Sequence, residues 1–471
     1  LRNLVVTKRL HDLVLIAAGL LVFAGCAGHS ILVPNPPVRQ TRTQIDTLAD
    51  TLEFQDPAQL DFSLAFADTV DTAAITQNAA VDSASESRLA VVAVPATVAR
   101  VRIGADFTKT LLYAPAALAI RDGAVRGRVS GRVGIQRIAR GIRISSGRDS
   151  YQATLPCTLS ALSAQATVEI GSVSYRGSVI CIARGSRGFA LVNRLDVEQY
   201  LRGVVPLEIG PRPAPEIEAV KAQAVAARTY TYRKILERRQ APYDLVATVA
   251  DQVYGGVDAE NRLSDRAIAE TRHVVVTHAD TLIFAYYHST CGGTTANVED
   301  VWDKPAHPYL RSRSDSLGQR CCCGISRYFR WEERWRQGDL SALLTRYAAQ
   351  AFPQVSAYRG TLHDIRIKKR YDCGRIAECV VSSSGGRWRY GGDKIRFAFR
   401  RDAAGAPILR SSRFDIAEIG RDRIVVKGRG YGHGVGMCQM GAVGRARAGQ
   451  SYDAILRAYY TNVNLARVRV R

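Results

Sequence analysis

The sequence predicts an α+β fold: two lobes of mixed strands and helices with a cleft between them, preceded by a disordered tether. Three observations carry this. Short β-branched runs broken by glycines fill residues 99–195, as in Val101-Arg102-Ile103 and Thr167-Val168-Glu169-Ile170, the pattern of strands joined by tight turns. Ile217, Val220, Ala224, Ala227, Thr231 and Ile235 recur at three- and four-residue spacing, which is one face of a helix. The body from 99 to 471 exceeds what one hydrophobic core usually fills, hence two lobes, and a ligand is expected in the cleft between them.

Residues 1–25 read as an export signal. Arg2, Lys8 and Arg9 precede an apolar run over 13–25, too short to span a bilayer, which takes roughly 20 residues. The run ends Phe23-Ala24-Gly25-Cys26, which resembles a bacterial lipoprotein box and makes Cys26 the expected lipidation site. The protein is then exported and lipid-anchored in the cell envelope, periplasmic and on the outer membrane if the cell has one. Residues 26–98 read as a disordered acidic tether. Pro34, Pro36 and Pro37 open it, few large apolar residues follow, and between Ser30 and Val98 nine acids outnumber three arginines. Such a stretch buries too little to offset its ordering entropy.

Beyond the tether, residues 99–195 form a β-rich region and 196–471 a second, mixed domain. Pro213 and Pro215 suit the start of the alanine-rich helix. Residues 331–351 read as a short helical pair, 362–399 as strands with Cys373 and Cys379 facing across a hairpin, and 452–460 as an amphipathic helix. No period of 20 to 50 residues marks a repeat protein.

The net charge is +22, and the acidic tether leaves the body more basic still. In a cytoplasmic protein that balance points to nucleic acid. Behind an export signal it points to anionic wall polymer or lipid headgroups, with no nucleic-acid partner. Ten cysteines are present. Outside the cytoplasm those after Cys26 are free to pair.

Three constellations carry candidate chemistry. Glu208, in Val204-Val205-Pro206-Leu207-Glu208, sits among apolar and turn residues just ahead of the alanine-rich helix. Partial burial there raises a carboxyl's pKa and keeps it a proton donor near neutrality. The run Gly428-Arg429-Gly430-Tyr431-Gly432-His433-Gly434-Val435-Gly436-Met437 lets backbone approach a ligand closely. It fits neither GxGxxG nor a P-loop, so nucleotide binding is not supported. Finally His288-Ser289-Thr290-Cys291 and Cys321-Cys322-Cys323 admit two readings. One is a zinc site through His288, Cys291 and Cys321 or a neighbouring thiol; the other is a disulfide from Cys291.

These motifs, in this order, together with Lys221-Ala222-Gln223-Ala224-Val225-Ala226-Ala227-Arg228-Thr229-Tyr230, resemble the stage II sporulation protein D family over about 175–465. The resemblance implies a peptidoglycan lytic transglycosylase that cleaves denuded glycan strands to 1,6-anhydro ends, with Glu208 as general acid and base. No cofactor is required, with zinc the one candidate. It implies that Lys221, Arg228 and Tyr230 face the cleft and that His433 and Gly434 touch substrate. Some relatives are described as amidase enhancers, so the rival reading is a non-catalytic glycan-binding protein whose partner is an N-acetylmuramoyl-L-alanine amidase. The chain departs from the family pattern at Cys438, where serine is usual, and at Met440, where an aromatic is common.

Overall fold

The computed structural model describes residues 89–470, apart from 124 and 164. Mixed strands and helices are present throughout, as the α+β reading requires. Cys26 and the tether up to residue 88 lie outside the described residues. The last part of the expected tether is structured: Ala90–Val94 forms a strand that pairs in parallel with Asn464–Val470.

The β-rich region supplies ten strands of an eleven-stranded sheet, whose remaining edge strand is Leu245–Val246. Two 14-residue strands, Lys109–Asp122 and Val125–Ile138, form its long hairpin. Inward residues such as Leu112, Ile120, Val133 and Ile144 are buried in one cluster, with the period-two alternation a half-buried strand imposes. Cys157 and Cys181 stand directly opposite in neighbouring strands as buried free thiols.

Gly188–Asp196 carries the chain out of this sheet into four helices: α1 (Val197–Arg202), α2 (Val205–Ile209), α3 (Ile217–Glu237) and, further on, α4 (Arg262–Glu270). Asp196 starts α1 by accepting from the Glu198 N–H, which satisfies one of the donors a helix leaves open at its N-terminus. α3 is the centre of the largest core. Its alanines at 219, 222, 224, 226 and 227 are fully buried, so α2, α4 and the C-terminal helices approach its backbone closely. Thr229 and Thr231, buried on the same helix, return their hydroxyls to the carbonyls of Val225 and Ala227. A buried hydroxyl needs such a partner.

A second core lies between 331 and 426. Here the structure corrects the expected helical pair: Trp331–Trp335 is a strand, and only Gln337–Ala351 (α5) is helical. The segment pairs with Ile424–Gly428, and Glu333 is half-buried between the two buried tryptophans while Glu332 and Arg334 face outward, the period of two that a strand imposes. Cys373 and Cys379 do not pair across the hairpin; Cys373 belongs to the main core and Cys379 to the second. The buried apolar residues thus separate into three large clusters. The chain closes with α6 (Gln439–Arg447), α7 (Tyr452–Tyr459) and the strand Asn464–Val470. Among the described residues, no helix is long and apolar enough to cross a membrane.

Candidate active site

Glu208 lies on α2, whose first turn contains Pro206 and whose end is turned by Gly210 at φ +73°. Proline fits the first turn because its missing N–H would have no partner there. The carboxylate is partly buried and accepts the Val253 N–H at 2.8 Å. Tyr287 and Gln439 also donate to it from their side chains. Burial outweighs these three donors and lifts the Glu208 pKa from the usual 4.5 to about 7, the direction desolvation imposes on a carboxyl. Half of such groups carry a proton at neutrality.

The donors are themselves held. Gln252, fully buried, donates to the Tyr287 hydroxyl at 3.0 Å and to the Ala227 carbonyl of α3. Its oxygen accepts from Thr231 (3.0 Å) and Tyr200 (3.2 Å). Gln439 donates at 3.3 Å to Gln223, which is fully buried on α3. Burial and the Glu208 charge push the Tyr287 phenol well above its ordinary value, so it stays a neutral donor. Tyr287–His288 and Met437–Cys438 pair as short parallel strands, which places Tyr287 and Gln439 side by side facing α2.

Gly436 makes that pairing possible. It sits at φ +72°, and a Cβ there would come within 2.0 Å of the Tyr286 carbonyl oxygen. Gly436→Ala is therefore expected to lose about 2–5 kcal/mol, since left-handed backbone costs about 1–2 and overpacking about 1–3. Urea denaturation checks this. Gly434, expected at the substrate, is likewise left-handed, and its Cβ would strike the Arg375 guanidinium.

The other expected site residues have partners within the fold. Arg228 is fully buried and makes a bidentate pair with Glu198 at 2.8 and 2.7 Å, with its remaining donors on the Val274 and Ile268 carbonyls. It joins α1, α3 and α4 rather than facing a ligand. Lys221 bridges Glu218 (2.7 Å) and Glu270 (2.8 Å). Tyr230 donates to Asp251 at 2.8 Å. His433 has both ring nitrogens on backbone: Nε2 donates to the Tyr287 carbonyl at 2.9 Å, and Nδ1 accepts the Val435 N–H at 3.1 Å. Burial and two arginines hold its pKa down at about 4, against the pull of Asp393. A neutral ring held by both nitrogens fixes the loop between Tyr287 and Val435.

The metal reading also changes in its ligands. His288 is not part of the thiol cluster, and its Nδ1 lies 3.2 Å from the Val435 carbonyl. Cys291 gathers instead with Cys323, Cys438 and Asp315, all buried, with donor atoms within 4.8 Å of one another. Cys321 stands beside Cys323 at 3.6 Å, outside this group.

A row of partly exposed aromatic rings leads away from His433. Trp302 lies 4.8 Å from the His433 ring and 4.8 Å from Tyr286, and Phe284 stacks on Tyr286 at 5.9 Å. Lys304 donates to the Tyr286 hydroxyl at 2.6 Å. A cavity of about 460 Å³ lined by Ser312, Arg313, Arg445 and Ala458 includes none of these residues.

Sequence reasoning missed Gln223, Gln252, Tyr287 and Gln439. One signal was present: Gln223 falls three residues after Val220 and four before Ala227, an amide on the apolar face of α3.

Comparison with known proteins places this arrangement. A family model described as Stage II sporulation protein matches residues 185–278, and a domain of unknown function matches 323–436. The chain is 30% identical to an uncharacterized protein of Brachyspira hyodysenteriae over 63% of its own length and 73% of that protein's. It is 26% identical to the amidase enhancer of Bacillus subtilis over 56% of this chain, spanning only 40% of that relative. It is 28% identical to stage II sporulation protein D of the same organism over 58% of this chain and 76% of the relative. The glutamate, the alanine-rich helix behind it and these matches converge on one assignment: the chain belongs to the stage II sporulation protein D family.

Proposed function

We propose that the protein is a peptidoglycan lytic transglycosylase acting on glycan strands, with Glu208 as its general acid and base. The observation that carries this reading is a partly buried carboxyl with a pKa of about 7, held by a backbone N–H, a phenol and an amide. Glu208 protonates the glycosidic oxygen leaving C1 of N-acetylmuramic acid, and that bond breaks. The resulting carboxylate takes the proton of the sugar's 6-hydroxyl, whose oxygen bonds to C1. The enzyme ends protonated, no water is consumed, and the product carries a 1,6-anhydro ring. This differs from the two-carboxylate glycosidases, where a second acid supplies the base or nucleophile. Tyr287 and Gln439 steady the carboxylate between the two steps, and the aromatic row from Trp302 to Phe284, with Lys304 and Arg233 over its rings, offers sugars a mixed aromatic and basic surface.

The protein is read as exported and held by lipid at Cys26, with strands stripped by an amidase as substrate. Such strands expose lactyl carboxylates, which suit a body this basic. Cleavage of stripped but not intact glycan tests the substrate, and binding that does not weaken with salt would count against the charge argument. The relative named an amidase enhancer supports a second reading, in which the protein binds glycan and stimulates an amidase. Stimulation of an amidase by the Glu208→Gln variant at the wild-type level, without cleavage by either protein, would favour that reading.

The pH dependence follows from the raised pKa. The first step needs Glu208 protonated, so kcat/KM is expected to fall above pH ~7, tenfold per unit, as the carboxyl ionises. Stability runs in the same sense: a raised folded-state pKa stabilises fully below about 4.5 and is lost as pH rises through about 7. The Glu208→Gln variant should therefore gain on the wild type in thermal midpoint from pH 5 to pH 8. A flat difference would place the carboxyl in water.

A further inference from the structure

We infer that the protein carries a structural zinc ion bound by Cys291, Cys323, Cys438 and Asp315. The four residues are completely buried and come from three separate segments of the chain. Cys291 Sγ lies 3.5 Å from Cys323 Sγ and 3.3 Å from Asp315 Oδ2. With Zn–S near 2.3 Å and Zn–O near 2.0 Å, the edges of a tetrahedral site come to about 3.8 Å for S···S and 3.5 Å for S···O, close to what is found.

The surroundings suit thiolates. Cys438 Sγ accepts the N–H of Cys291 at 3.2 Å and of Gly441 at 3.3 Å, and Cys291 Sγ accepts that of Gly293 at 3.3 Å. Asp315 is oriented from behind: Oδ1 accepts the Tyr459 hydroxyl at 2.7 Å with Arg445 Nε at 3.7 Å, while Oδ2 takes the Cys323 N–H at 3.2 Å and faces the sulfurs. Metal-binding carboxylates are held in this way by a second layer of donors. Three thiolates and a carboxylate leave a zinc site with net negative charge, and Arg445 lies on its carboxylate side. A disulfide between Cys291 and Cys323 would instead leave a buried carboxylate facing sulfur with no cation between them, a costly arrangement.

The ion would tie the loop after His288 to the start of α6. Cys438 is the N-cap of α6 and immediately precedes Gln439, and Tyr287 lies four residues before Cys291. The site would therefore fix both side chains that donate to Glu208. Metal content is measured without glycan, so its outcome is independent of the cleavage reading.

The test is metal analysis of the full chain purified without chelator, alongside Cys323→Ser, Cys438→Ser and Cys321→Ser. The expected result is about one zinc per chain, retained by Cys321→Ser and reduced at least tenfold in the other two. Cobalt substitution should show thiolate charge-transfer absorption. Serine differs from cysteine by one atom, so Cys438→Ser should fold, as circular dichroism can check, and its metal loss can be read directly. Protein without metal that shows a Cys291–Cys323 disulfide by mass spectrometry would overturn the inference. So would zinc that survives both Cys323→Ser and Cys438→Ser.

Discussion

Glu208→Gln is expected to remove glycan cleavage, lowering kcat/KM by at least ~10²–10⁴-fold, the usual contribution of a positioned proton donor. Glutamine keeps the shape of the side chain and can still accept the Val253 N–H that holds it. It can neither give a proton to the leaving oxygen nor take one from the 6-hydroxyl, so both halves of the reaction fail together. Glycan affinity, measured by sedimentation with wall material, should change by less than tenfold, because the loss lies in the transition state. Tyr287→Phe and Gln439→Ala should act in the same direction with smaller effect. Each removes one donor that lowers the Glu208 pKa, so the descending limb of the pH profile should move to higher pH in both. A profile that stays in place would mean these contacts do not form in solution.

Arg228→Ala is expected to be the most destabilising single change outside the hydrophobic cores, costing about 3–5 kcal/mol, the usual penalty for removing one partner of a buried ion pair. It would leave the Glu198 carboxylate with only the long His273 N–H contact, and would take the guanidinium donor from the carbonyls of Ile268 and Val274. Urea denaturation should show a lowered midpoint with an unchanged slope. The double variant Glu198→Gln with Arg228→Met should recover part of the loss, because the stranded charge is gone. An arginine that faced substrate would behave oppositely: stability would hold and glycan binding would weaken. The choice between the sequence reading of this residue and its place in the fold is thus one denaturation curve.

The two arginine readings show where the sequence stops being legible. The three- and four-residue spacing from Ile217 to Ile235 identified α3 and its buried face. Arg228 lies one residue after Ala227, and nothing in the pattern says that Glu198, thirty residues earlier, reaches it. Glu208 was legible because its motif is local: proline, glutamate and the helix behind it are consecutive. The glutamines that hold the site were not, because Gln252 and Gln439 reach it only through tertiary packing against α3. The same limit governs the thiols. His288 and Cys291 share a motif, and their spacing suggested a shared metal. Pairing of Tyr287–His288 with Met437–Cys438 brings in Cys438 instead and points the imidazole at the Val435 carbonyl. Cys438 registered only as a departure from the family's serine, although it is the residue that completes the cluster. The strand at Trp331–Trp335 was misread because five residues fit either period, and burial at both 331 and 335 suits a helix too; pairing with Ile424–Gly428 decides it.

The central claim is a single-carboxyl cleavage that consumes no water, and the mass of the released glycan ends tests it most directly. Purified protein incubated with amidase-stripped strands should release fragments with 1,6-anhydro ends, one water lighter than hydrolysis products, and Glu208→Gln should release none. Reducing ends would contradict the mechanism, and intact strands with an amidase still stimulated would contradict the enzyme.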